Sequence, residues 1–161
     1  MVKIDILKKE GKISRIRETE LERYIDFFTN SYEDNLSHAK DTLEKYPRWS
    51  IISGYYAMHD VSKLLIAKVY RIKIEMEVHA TTIKVLRELL KNEETLKLIE
   101  EGYEEFQNLA NELSDAKKDR VKMQYYTGTS FMREKHSKRA FEFYEHVVKP
   151  YVEKIKKLMK S

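Results

Sequence analysis

The chain has 161 residues, 36% of them charged, with four Gly, two Pro, no Cys and a net charge of +4. That length suits one domain able to bury roughly two thirds of its unfolded surface, and the lack of Cys excludes disulfides, thiolate nucleophiles and Cys-ligated zinc. No apolar run approaches the ~18 residues a membrane span needs, and the opening MVKIDILKKEGK lacks the apolar core of a secretion signal. The expectation is a cytoplasmic protein with no membrane contact.

Residues 2–7, VKIDIL, alternate imperfectly and read as an extended or disordered arm that Gly11 closes. An N-terminal arm over 1–17 and one helical domain over 18–161 are expected. Helix one is expected over 18–45, with Glu18, Glu20 and Glu22 near its positive end and Leu21, Tyr24, Phe28, Tyr32, Leu36, Ala39 and Leu43 on one stripe. Pro47 ends it, since an interior proline loses a hydrogen bond and clashes with the preceding turn.

Helix two, over 49–70, is apolar on nearly every face and carries small residues at Ser50, Ser53, Gly54, Ala57 and Ser62. A helix of that kind needs a neighbour on each side and belongs at the centre of a bundle. The stretch IKIEMEV after Arg71 reads as a connector with a little extended structure. Helix three follows over 79–90, with Ile83, Leu86, Leu89 and Leu90 inward, and helix four over 93–126, with Leu96, Ile99, Tyr103, Phe106 and Leu109 on its stripe. A turn at 125–130 uses Gly128, and helix five spans 131–159 with a bend at Pro150. The fold class is all-α: an up-and-down helical bundle of about five helices with a short N-terminal arm.

Charge is unevenly spread. Segment 93–119 holds nine acids against three lysines, and segment 133–161 holds nine bases against four glutamates. Two readings stand: solvated faces of two neighbouring helices that attract one another, or a basic surface for phosphate backbones. Lysines at a C-terminal helix end also complement its dipole, which favours the first.

The run YYAMHDVSKLL in the central helix, followed after a short connector by VHATTIKVL, resembles the HEPN domain family, an all-α bundle common in prokaryotes. The matching positions are Tyr55, Tyr56, Ala57, Leu64, Leu65 and His79, with Arg120 and Tyr125 in DRVKMQYY as a third element. Gln124 stands where an Asp often precedes that Tyr, and ILKKEGKI resembles the arm of some members. The resemblance spans about residues 20–158. It implies a two-fold homodimer and, in many members, a minimal nucleotidyltransferase partner in a two-component, toxin–antitoxin-like system. Ribonuclease members carry an Arg, then four to six residues of which the first is usually polar, then a His, at a helix start. They cleave RNA without metal, His acting as acid or base and Arg stabilising the phosphorane. Here Arg139 and His146 enclose six residues, but Ala140 follows the Arg and the pair lies well inside the last helix.

The candidate ligand-binding residues are Tyr55, Tyr56, His59, Lys63, His79, Arg120 and Tyr125. Tyr55, His59 and Lys63 form an i, i+4, i+8 line that reads either as a groove lining or as hydrogen-bonded core. His79 reads as a cap or packing residue that, in the family, neighbours the central tyrosines. Arg120 reads as an anchor to Asp60 or a tyrosine hydroxyl, or as a phosphate ligand. The five histidines show no HExxH or paired spacing, and the four scattered glycines make no phosphate loop, so neither metal nor cofactor is expected. The leading expectation is a non-catalytic binding module for nucleic acid, a nucleotide or a nucleotidyltransferase. A metal-independent endoribonuclease using Arg139 and His146, or an assembly protein without nucleic acid, are the alternatives.

Overall fold

The computed structural model describes the backbone of residues 2–118 and 130–160, and the side chains of 3–111 and 135–160. Those residues form an all-α bundle with one two-stranded ribbon. The elements are α1 (Val2–Lys9), β1 (Ile13–Arg15), α2 (Glu18–Asp41), α3 (Pro47–Tyr70), β2 (Ile72–Ile74), α4 (Val78–Leu89), α5 (Glu93–Lys118) and α6 (Ser130–Phe143). A π-helical turn (Tyr144–Val148) then joins α6 to α7 (Lys149–Lys160) without a break in the helical path.

The N-terminal arm differs from the extended or disordered segment expected of it. Residues 2–9 are helical, because the i, i+3 pair Ile4 and Leu7 is buried while Ile6, which an alternating strand would bury, is 47% exposed. The arm is pinned twice. Lys3 Nζ lies 3.5 Å from Glu88 of α4, and β1 pairs antiparallel with β2 in the register Ile13–Ile74, Ser14–Lys73, Arg15–Ile72. Burial of Ile13, Ile72 and Ile74 joins this ribbon to the core, and the stretch after Arg71 supplies the extended structure expected of it.

α2 begins where Glu20 Oε1 accepts from the Arg17 backbone N–H at 3.3 Å, the acidic half of a capping box. It ends at Asp41, earlier than the expected residue 45: after Thr42, whose N–H and hydroxyl both donate to the His38 carbonyl, the Leu43 N–H turns to Lys40 three residues back and the α pattern stops. Pro47 then occupies the first turn of α3, where its missing N–H costs nothing, and Tyr46 before it is pushed out of helical geometry at φ −134°. The corner reverses the chain. Ala39 meets Ser50, His38 meets Ser53, Asn35 meets Asp60 and Phe28 meets Lys63, so α2 and α3 run antiparallel in close register.

α3 is the centre. Sixteen of its 24 residues are buried, and it packs against α2, α4, α5, α6, the π turn and α7, as well as β2. The small residues serve close approach, as expected. A Cβ at Gly54 would lie 2.9 Å from Val148 Cγ2, and Ser50 Oγ donates to the Ala39 carbonyl at 2.6 Å. On its other side Tyr151 of α7 reaches Ser62 Oγ at 2.5 Å, and Ser62 donates onward to the Met58 carbonyl at 2.7 Å. The π turn has a local cause. Pro150 has no N–H and its ring would strike the carbonyl four residues back, so the Lys149 N–H bonds Tyr144 one residue further on and the helix widens. The expected bend at Pro150 thus takes the form of a π turn.

Gly54 faces a branched side chain held at the π turn, whereas Gly102 of α5 faces the flexible Met58 thioether at 2.9 Å. Gly54→Ala is expected to cost about 1–2 kcal/mol in urea unfolding, overpacking outweighing the gain in helix propensity. Gly102→Ala is expected to cost less; the reverse order would mean that Val148 yields and Met58 does not.

Candidate functional site

The sequence-selected residues Tyr55, Tyr56, His59 and His79 come together, joined by Tyr103 and Phe106 of α5. The Tyr55 hydroxyl lies 2.5 Å from His79 Nδ1. Burial pushes the phenol pKa up and the His79 pKa down, so both groups stay neutral and a single proton lies between the Tyr55 oxygen and His79 Nδ1. Tyr55 stacks on Phe106 at 4.7 Å, His79 stacks on Tyr103 at 5.8 Å, and the His59 and His79 rings are 4.7 Å apart. His59 is 4% exposed, and its Nε2 has no partner among the described residues. Desolvation first, then the positive charge of Lys63 and the neighbouring His79, push its pKa down to about 3.

Lys63 leaves this line. An i, i+4, i+8 row drifts about 40° per step, and by the third residue it has turned toward α2. There the Lys63 ammonium lies 4.9 Å from the Phe28 ring centroid, and Asp60 supports its charge against a burial that lowers its pKa. Asp60 is itself buried. Its Oδ2 accepts from Ser31 Oγ at 2.6 Å and from Asn35 Nδ2 at 3.0 Å, bonds that partly offset the upward push of desolvation on its pKa. Both of these partners sit on α2. Arg120 and Tyr125, expected near this region, lie outside the described residues.

A concavity lies elsewhere among the described residues, and Tyr56 belongs to both places. An open groove of about 520 Å³ runs between the second half of α2 and the first half of α3. Asn35 and His38 line it from α2 and Thr42 from just past the end of that helix, Tyr46 lies at the corner, and Trp49, Ile52, Ser53 and Tyr56 line it from α3. His38 Nδ1 and Ser53 Oγ are 2.5 Å apart across it. Trp49 is 59% exposed and Tyr46 53% exposed, a large aromatic surface left in water. Lys45 Nζ sits 5.6 Å from the Tyr46 ring centroid, and Arg48, two residues further along the chain, is exposed, as are Asp41 and Glu44, so charges of both signs stand at this corner.

Apart from Tyr56, the groove residues were not among the sequence candidates. The signal was present as a polar row, Ser31, Asn35, His38 and Thr42, at helical spacing beside the apolar stripe of α2. Such a row reads as a solvated face unless the facing helix also offers serines and a carboxylate, as α3 does with Ser53 and Asp60.

The two members of the expected ribonuclease pair sit apart in character. Arg139 is ion-paired to Glu105 of α5, while His146 is exposed on the π turn. On a regular helix seven residues return to the same face. Here the widened turn passes burial to Val148. Lys154 likewise reaches Glu94 of α5 at 3.2 Å, so part of the basic C-terminal segment is matched to the acidic helix within the molecule. Among the described residues no group of three or more potential metal ligands converges, and no helix is long and apolar enough to cross a membrane.

No protein-family model matches the chain, nor does any curated protein or solved structure. The HEPN resemblance therefore rests on the residues themselves.

The buried histidine gives a pH signature. A folded-state pKa below the unfolded value means that His59 contributes stability in full above pH 6.5, and that this contribution is lost as pH falls toward about 3. In that window the unfolded chain takes up a proton the folded chain refuses, a slope of about 1.4 kcal/mol per pH unit. His59→Leu is expected to flatten stability between pH 6.5 and 4 relative to the wild type and to stay within about 1 kcal/mol of it at pH 7, since it removes an unpartnered buried nitrogen. Equal acid slopes in the two proteins would show that His59 charges freely in the fold.

Proposed function

We propose that this chain is a HEPN-like, non-catalytic binding module whose α2–α3 groove receives a nucleobase, carried by a nucleotide or by single-stranded nucleic acid. The observation that carries this reading is the groove wall. Tyr46, Trp49 and Tyr56 offer ring faces at one concavity, Asn35, His38, Thr42 and Ser53 supply hydrogen-bonding atoms, and Lys45 and Arg48 stand at the aromatic end for a phosphate. Stacking platforms flanked by cations are the usual means of holding unpaired bases. The family reading draws support from Tyr55 and His79, two positions of the resemblance, which bond directly. A homodimer and a nucleotidyltransferase partner belong to the same proposal, and exposed Phe27 and Phe141 provide apolar surface for either.

The test is anisotropy of a labelled single-stranded oligonucleotide, with chelator present and the RNA examined afterwards. Binding is expected with a log–log salt slope of about −1.4, the value for two phosphate contacts to a single strand. Trp49→Ala is expected to weaken it by about 1–3 kcal/mol, and the RNA is expected to remain intact. Cleavage lost in Arg139→Ala or His146→Ala would replace this reading with the ribonuclease one. Light scattering of the free protein is expected to give the mass of two chains.

A further inference from the structure

Phe27 is the most exposed large apolar side chain among the described residues, 64% open to water. Its ring stands edge-on against Phe28 at 5.0 Å, and the Lys63 ammonium lies over the Phe28 ring in turn. An aromatic ring braced in this way and left in water marks a surface that a partner covers. Eleven residues along α2, three turns and about 16 Å away, His38 stands on the same face and lines the groove. A knob and a hollow thus share one face of one helix, and that arrangement is self-complementary. A two-fold axis across α2 at the level of Tyr32 and Glu33 carries Phe27 of each copy to the His38 level of the other. There Ser53 lies opposite His38, with Tyr56 and Trp49 a turn to either side. The groove that offers ring faces to a nucleobase offers the same faces to a phenyl ring.

Charge agrees with this pairing. Arg23 and Asp41 are both exposed and flank the same face, Arg23 one turn before Phe27 and Asp41 one turn beyond His38. Antiparallel packing about that axis brings Arg23 of each copy level with Asp41 of the other, with exposed Glu44 close by. Glu20, which lies 3.4 Å from Lys73 Nζ, comes level with Lys45. Asp34 is exposed near the axis, where like charges meet and cost the interface some affinity.

We infer that the occupant of the groove in the free protein is Phe27 of a second copy, the two α2 helices packing antiparallel about a two-fold axis so that each copy covers the groove of the other. A nucleobase then enters only by displacing that ring, which couples ligand binding to dissociation of the dimer. The coupling rests on the nucleobase reading above; the interface does not.

Trp49 is the single tryptophan of the chain and lines the groove, so its emission reports whether the groove is covered. Sedimentation equilibrium and Trp49 emission are followed on dilution of the wild type, Phe27→Ser, Phe141→Ser, Arg23→Glu and the charge exchange Arg23→Glu with Asp41→Arg. All four substituted side chains are exposed, so the fold does not depend on them. The wild type is expected to be a dimer whose Trp49 emission shifts to the red as it dissociates. Phe27→Ser is expected to weaken the dimer at least about tenfold, and Phe141→Ser to leave it unchanged. Arg23→Glu is expected to weaken it about threefold, and the charge exchange to restore it. A monomeric wild type, a dimer that Phe27→Ser leaves equally tight, or dissociation with no change at Trp49 would overturn the inference. A charge exchange that recovers nothing would overturn the antiparallel pairing.

The single-stranded oligonucleotide, added to the wild type, is expected to convert dimer to monomer, and Phe27→Ser is expected to bind it more tightly. Binding to an intact dimer would overturn the coupling and leave the nucleobase reading standing. Binding to neither protein would overturn the nucleobase reading and leave the interface standing.

Discussion

Everything in this molecule is arranged around one helix that cannot face water. α3 is apolar on almost all sides, and burying sixteen of its residues requires neighbours in every direction, so the bundle is in effect the set of elements that cover it. Total burial constrains its polar residues just as strongly, because a buried donor or acceptor without a partner costs about 1–3 kcal/mol. Ser50, Ser53, Asp60 and Ser62 each find a partner, and each partner lies on α2, on α7 or in α3 itself. These bonds fix how the covering helices are turned as well as where they lie.

The bond that matters most for the groove is the one from Asn35 to Asp60. Two α2 side chains converge on a single carboxylate oxygen, which holds the polar row of α2 against α3. A hydrophobic seam there would close tightly and leave no opening. The polar row instead ends at His38, Thr42 and Ser53, whose small or planar side chains leave the space above them unfilled. The groove is a consequence of satisfying Asp60 from one helix face while the Pro47 corner swings Tyr46 and Trp49 out past the end of that face.

Most of the fold was legible because its signals are redundant. The all-round apolar character of α3, its small residues, Pro47 and the 3–4 spacing on α2 and α5 all indicate a bundle with that helix at the centre. The arm was misread because Val2, Ile4 and Ile6 fit an alternating pattern as well as Ile4 and Leu7 fit a helical one; only the position of α4 and the ribbon decides between them. The π turn was half legible, since Pro150 announces a defect and leaves open whether the helix kinks or widens. At the candidate site, Tyr55 and His79 were named and do meet. The groove was not legible, because Asn35, His38 and Thr42 acquire meaning only from what α3 sets opposite them.

The two ends of the groove differ in rigidity, and that difference governs how it can bind. Tyr56 packs edge-on against Tyr55 at 5.6 Å and Phe106 at 5.7 Å and stands 6.1 Å from His79, so its back is braced by α4 and α5 through a continuous set of rings. A ligand ring laid on Tyr56 meets a surface already in place. Tyr46 and Trp49 have only the Pro47 corner behind them and stand largely in water, so closing them over a ligand costs side-chain entropy at the moment of binding. The fixed amide of Asn35 lies toward the braced end, between Asp60 and the groove. For the binding role proposed above, recognition would then be concentrated where the structure is preorganised, and the exposed aromatic end with Lys45 and Arg48 would contribute stacking area and charge that tolerate many ligands.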